Sequence, residues 1–133
     1  MEGPVSLMLL AISSAFYREI TQVAGRVTYS GKYDTLSFNE FPTPAQSLNL
    51  LANLYAIGEV NGELSVRSRL HDQVIHRSGP FNLQIPEAGS RKEFAYACII
   101  EGLVFPAPGY HMIDLLFGGA VLQSIPLRII KLP

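Results

Sequence analysis

Ile99–Ile130 reads IIEGLVFPAPGYHMIDLLFGGAVLQSIPLRII, and this stretch decides the fold. It has the form strand, Pro-Gly turn, strand, Gly-Gly turn, strand. Ala107-Pro108-Gly109-Tyr110 suits a type II turn, because proline presets φ at the second position and glycine accepts a positive φ at the third. Ile113, Leu115 and Phe117 then alternate with Met112, Asp114 and Leu116, the period-two signature of a strand with one side more buried. Gly118-Gly119 supplies a reversal, and the chain runs out through Val121, Ile125, Leu127 and Ile129. The inward set is odd on both sides of the reversal. Paired residues in an antiparallel ladder share a face, so a plain two-residue turn, pairing Phe117 with Ala120, mismatches the two sets. A three-residue loop Gly118-Gly119-Ala120 is the favoured remedy, with a bulge at Ser124–Pro126 as the other.

Working outward, the preceding chain carries the same punctuation. Phe94–Val104 is apolar on both parities, as a central strand covered on both sides would be. Phe81, Leu83 and Ile85 alternate with Asn82 and Gln84, after a Ser78-Gly79-Pro80 turn. In Glu63–Leu70, Leu64, Val66 and Leu70 face one way and Glu63, Ser65, Arg67 and Arg69 the other, as in solvent-facing sheet. Asn61-Gly62 before it is a hairpin-type turn. Thr43–Ile57 reads two ways. Thr43, Pro44 and Gln46 resemble a helix start, with Leu48, Leu51, Leu54 and Tyr55 as the stripe. Equally, Leu48, Leu50, Ala52, Leu54 and Ala56 alternate as in a strand. Arg26–Tyr29 has β-branched and aromatic character, and Phe41-Pro42-Thr43-Pro44 ends the element that follows. Val5–Tyr17 is apolar throughout and is read as strand rather than short helix. The whole is an all-β, antiparallel sandwich of about seven to nine strands, Ig-like or C2-like, in one domain spanning 1–133.

Composition narrows the classes. The 133 residues are 48% hydrophobic and only 16% charged, which favours a packed core over disorder and leaves apolar surface for a partner to cover. The net charge of −1 gives no field for nucleic acid or an anionic membrane. Cys98, the sole cysteine, has no internal disulfide partner and reads as a small buried hydrophobe. Ser13-Ser14-Ala15 imitates a cleavage site, but Glu2 and the lack of Lys or Arg before Arg18 argue against a secretory leader. A cytoplasmic location and no transmembrane segment are expected.

The order of motifs resembles a family of small, uncharacterised bacterial proteins, each a single β-sandwich. The resemblance rests on Arg26-Val27-Thr28-Tyr29-Ser30-Gly31-Lys32-Tyr33-Asp34-Thr35 with Phe41-Pro42, on the Leu64–Asp72 strand and turn, and on Gly102–Tyr110 with its Phe105-Pro106-Ala107-Pro108-Gly109-Tyr110 turn. Gly119 and Pro126–Ile129 follow behind. It implies a sandwich and a strand for 48–57, and it carries no catalytic residue, activity or cofactor.

His71, His76 and His111 raise a metal or general-base hypothesis, but no recognised ligand spacing joins them. His71-Asp72 with Ser68 lacks a nucleophile elbow. Asp34, Glu40, Asp72 and Asp114 are carboxylates without the clustered loop that calcium needs. Arg67, Arg69 and His71 make a polar patch, which a solvated strand face also explains. Met112, Leu116, Leu122 and Ile130 fall on the outer parity of the C-terminal ribbon and are the candidate interface. The expected function is therefore a non-catalytic binding or assembly module of unknown ligand, with no cofactor, no nucleic acid, and a protein partner or self-association. The alternatives are a metal-dependent or histidine-based enzyme using His71, His76 or His111, and a peripheral lipid-binding sandwich.

Overall fold

Gly118 and Gly119 take φ of 57° and 85°, the left-handed pair that a two-residue hairpin turn requires. In the computed structural model, which describes residues 8–24, 26–57, 60–70, 73–79, 81–83 and 91–133, this turn joins β10 (Gly109–Phe117) to β11 (Ala120–Lys131). Phe117 pairs with Ala120 and Leu116 with Val121, but Leu115 pairs with Gln123. The parity mismatch is therefore real, and a bulge that gives β11 one extra residue at 121–123 resolves it. Neither the three-residue loop nor a bulge at Ser124–Pro126 is used. Below the bulge Ile113 faces Ile125 and His111 faces Leu127, odd with odd. Val121, expected inside, is 47% exposed, and Leu122, expected outside, packs against the core. The two-residue turn sets both, and the bulge restores the expected parity from Gln123 onward.

β10 and β11 belong to a five-stranded sheet, sheet B, in the order β3-β11-β10-β6-β7. Here β3 is Thr35–Phe38, β6 is Leu64–Ser68 and β7 is Gln73–Arg77. The facing sheet A has the order β2-β1-β4-β9, with β1 Met8–Val23, β2 Arg26–Tyr33, β4 Gln46–Ile57 and β9 Arg91–Leu103. A small pair, β5 (Val60–Gly62) with β8 (Phe81–Leu83), stands apart. The described chain is thus all-β, with nine strands in two facing sheets. Among the described residues every strand pairing is antiparallel except β3 with β11.

The ambiguous 43–57 stretch is strand β4, buried along Leu48, Leu50, Ala52, Leu54 and Ala56. Its apparent helix start does other work. Thr43 Oγ1 accepts a bond of 3.0 Å from the Phe105 amide, and the Thr43 amide returns one of 3.0 Å to the Phe105 carbonyl. Gln46 reaches back to the Pro44 carbonyl at 2.9 Å. The N-terminal apolar run is strand β1, which pairs with β4 and shifts register between Ala11 and Ser13. Asn61-Gly62 is no hairpin turn but part of β5. Leu70 lies past the end of β6 and is 52% exposed; Ser68, 3% exposed, takes the inward place expected of that row. Most unexpected is β9: apolar on both parities, it is nevertheless the edge of sheet A. Its inward side chains, Cys98 and Ile100, enter the core with Phe16 and Leu50 from the same sheet, and Val66, Leu115, Leu127 and Ile129 from the other.

Candidate arginine–aspartate cluster

Alternation along β10 puts Asp114 on the outer face of sheet B, opposite Arg67 of β6 and Ser124 of β11. β10 is flanked on both sides, so the carboxylate is 0% exposed and must be satisfied by its neighbours. Arg67 donates from Nη2 to Oδ2 at 2.9 Å and from Nε at 3.3 Å. Arg69, just past the end of β6, donates from Nη2 to Oδ1 at 2.7 Å and from Nε to Oδ2 at 3.2 Å, a two-toothed clasp. Ser124 Oγ donates to Oδ1 at 2.7 Å and accepts from Arg69 Nη2 at 2.8 Å.

The electrostatics follow. Desolvation, the largest single influence, pushes the Asp114 carboxyl up. The hydrogen bonds from Arg69, Ser124 and Arg67 and the charge of Arg69 together outweigh it and hold the group at about 2. Arg69 is raised in turn by its hydrogen bond to Asp114 and by that negative charge. Asp114 is therefore an ionised anchor at any ordinary pH, and it moves no proton. Two guanidiniums on one carboxylate leave the cluster with one net positive charge. The arginine side chains are 30% and 52% exposed, so that charge is presented to solvent. Arg77 belongs to a separate pair, with Glu63 at 3.0 Å.

The polar patch read from the sequence is thus partly assembled here. Arg67 and Arg69 meet on Asp114, and His71 lies outside the described residues. Asp114 stands in the sequence as a stray carboxylate; its signal, a lone acid among β10's apolar residues, becomes informative once the register places it beside Arg67. His76 is half-buried in β7, its ring 6.0 Å from that of Tyr96. His111, 8% exposed, is tied through Nε2 to the Ala107 carbonyl at 3.0 Å and lies edge-on to Phe105. His76 pairs with Val66, which faces Leu115 of β10. His111 is four residues along β10 from there, roughly 13 Å at a strand's rise, and two strands over. The structure does not bring them together. Among the described residues no group of three or more His, Cys, Asp or Glu is placed to hold a metal ion. Of the candidate interface, Met112 and Ile130 are half-buried, Leu116 is 4% exposed, and Leu122 is turned to the core.

A second surface, marked by no motif of the sequence, is the outer face of sheet A. Ala15, Leu51 and Ala97 lie abreast across its middle. Leu10 and Tyr55 lie toward one end, and Tyr17 and Ile99 toward the other. Leu10 is 47% and Ile99 58% exposed, and Ile12, in the β1 irregularity, 56%. The two asparagines of this face are tied down, Asn49 to the Arg18 carbonyl and Asn53 to the Ser13 hydroxyl.

Fold and sites together define a β-sandwich-like protein with a buried structural ion cluster on one outer face and an apolar strip on the other. No helix of the described structure is long and apolar enough to cross a membrane. The match to a family model over residues 18–130 places it further: the chain belongs to the family of unknown function DUF6941. No curated protein matches. Among solved structures, a beta-glucosidase from Listeria innocua in complex with isofagomine is similar at 11% identity and a TM-score of 0.46. The alignment covers 97% of this chain and 17% of that one.

Proposed function

We propose that this chain is a non-catalytic binding or assembly module: one sandwich domain, working in the bacterial cytoplasm through contacts with a protein partner or with its own copies, and without nucleic acid. One observation carries the reading. The outer face of sheet A exposes Leu10, Ile12 and Ile99 around a buried Leu51, an apolar strip of the kind that a partner covers. The ion cluster supports it from the other side. Asp114 is held ionised and spent on Arg67 and Arg69, so it serves as scaffold rather than as acid or base. Met112 and Ile130, half-buried on that same outer face, add to the surface available for contact. The single thiol, buried at Cys98, suits a reducing compartment.

The test is chemical cross-linking in the cell of origin, followed by mass spectrometry and by elemental and lipid analysis of the purified protein. Reproducible cross-links to one protein, or between copies, are expected. A stoichiometric metal accompanied by turnover would replace this reading with the histidine enzyme, and co-sedimentation with liposomes would replace it with the lipid-binding sandwich.

A further inference from the structure

The two main sheets have four edge strands, and three of them are guarded. β3 is four residues long and β7 five. β2 carries exposed Lys32 and a left-handed Gly31, φ 73°, within its run. Short length, charge and kinks of this kind stop a strand from recruiting another. Where β1 runs beyond β2 and β11 beyond β3, the two strands approach one another, and Ser14 Oγ donates to Gln123 Oε1 at 2.6 Å across the gap.

The fourth edge, β9, confines such devices to its ends, with a left-handed Gly102, φ 74°, beside Glu101 at one of them. It is thirteen residues long. Its described charged residues, Glu93 and Glu101, sit toward the two ends, with Phe94-Ala95-Tyr96-Ala97-Cys98-Ile99-Ile100 between them. It contains no proline, and its register irregularity with β4 is confined to the 100–103 end. On its inner side it pairs with β4 from residue 91 to 103. Among the described residues no strand pairs with its other side. β7 approaches from the opposite layer at His76 and Tyr96, but β7 pairs only with β6.

We infer that the free edge of β9 pairs antiparallel with β9 of a second copy, joining two A sheets into one eight-stranded sheet across a two-fold axis at Tyr96. This rests on the proposed module reading and names its partner. The register follows from parity and charge. A two-fold axis perpendicular to the sheet maps the outer face onto itself, so paired positions must share parity. With the axis at Ala97, Glu93 would stand opposite Glu101 twice, like charge against like. With the axis at Tyr96, Ala95 stands opposite Ala97 and Glu93 opposite Ile99, so the two described acids no longer face each other. Small residues then flank the axis. Continuing the sheet satisfies the row of backbone donors and acceptors that an edge leaves unpaired.

The test uses the full chain in sedimentation velocity from about 1 to 100 μM, a range that brackets micromolar association. The wild type is expected to dimerise. Ile99→Glu alters a residue that is 58% exposed, so the fold tolerates it, and it sets two like-charge pairs against Glu93 of the other copy. It should weaken the dimer about tenfold, two unfavourable cross-strand pairs acting together. Ile99→Lys should keep the dimer, and Glu93→Lys with Ile99→Glu should restore it. A strictly monomeric wild type overturns the inference, as does a dimer that ignores Ile99→Glu or loses as much to lysine as to glutamate at 99. A pure protein that stays monomeric yet cross-links to another protein in the cell removes the β9 pairing and leaves the module reading standing.

Discussion

Replacing Asp114 by Asn tests the ion cluster at its centre. The amide keeps the shape of the carboxyl but removes its charge, and it turns an NH₂ group toward guanidiniums that can only donate. The shift from the ordinary 3.8 to about 2 sets the scale. One pKa unit is about 1.4 kcal/mol, so the full difference is worth about 2.5 kcal/mol. The arginines are 30% and 52% exposed, and water screens them; the discounted loss is about 1–2 kcal/mol at pH 7. The sign with pH is fixed by the direction of the shift. A carboxyl depressed in the folded state contributes its full stability above the unfolded value near 3.8, and loses it as pH falls through about 2. Urea unfolding of wild type and Asp114→Asn at pH 7, 5, 4 and 3 should therefore show a constant gap down to about pH 5 and a narrowing one below. Asp34→Asn is the control. Asp34 is exposed, its carboxylate accepting the neighbouring Thr35 hydroxyl, so its change should stay within about 0.5 kcal/mol. An Asp114→Asn protein as stable as wild type at pH 7, or a gap unchanged at pH 3, would refute the assignment of the cluster as a stabilising anchor.

Three further outcomes are expected. Cys98 is buried and its thiol is pushed up to about 12, chiefly by that burial, so iodoacetamide at pH 8 should label it at least tenfold more slowly in the native protein than in urea; equal rates would place the thiol at the surface. Thr43→Val removes the oxygen that receives the buried Phe105 amide and should cost about 1–3 kcal/mol by thermal unfolding; a neutral result would mean that water or another acceptor replaces it. Gly118→Ala meets no atom within 4 Å but must adopt a φ of 57°, for about 1 kcal/mol, whereas Gly62→Ala also meets the Phe117 ring at 2.7 Å and should cost more; the reverse order in their melting temperatures would contradict the turn and packing described.

The sheet class was legible because alternation and turn residues are local signals. Ile113, Leu115 and Phe117 against Leu127 and Ile129 even required a parity-correcting device, and the structure has one. Its place was not legible. The extra residue at 121–123 is chosen by how Leu122 fits the core, a tertiary matter that leaves no mark on the residues themselves. Thr43-Pro44 left the next stretch open between helix and strand for a related reason: the Thr43 hydroxyl has the same chemistry at a helix start as against the distant Phe105 amide. β9 shows the limit most plainly. Residues that are apolar on both parities imply cover on both faces, and they say nothing about whether the backbone has a neighbour on each side. Arg67 and Arg69 were visible as a row, but Asp114, the group they hold, lies more than forty residues away and joins them only through the pairing of β6 with β10.

The pairing of β3 with β11 bears on how the chain is made. Thr35 lies beside Arg128 and Phe38 beside Lys131, and the Arg128 amide donates to the Asp34 carbonyl at 2.8 Å. On a ribosome, residues 35–38 wait for residues 39–127 to be made before their strand partner exists. Joining segments so far apart costs chain entropy that only the completed sheet recovers. Sheet B is thus completed only after β11 has been made. A nascent chain stalled before Arg128 clears the exit tunnel would hold Leu36 and Phe38 without their strand partner, as a site for a chaperone to grip.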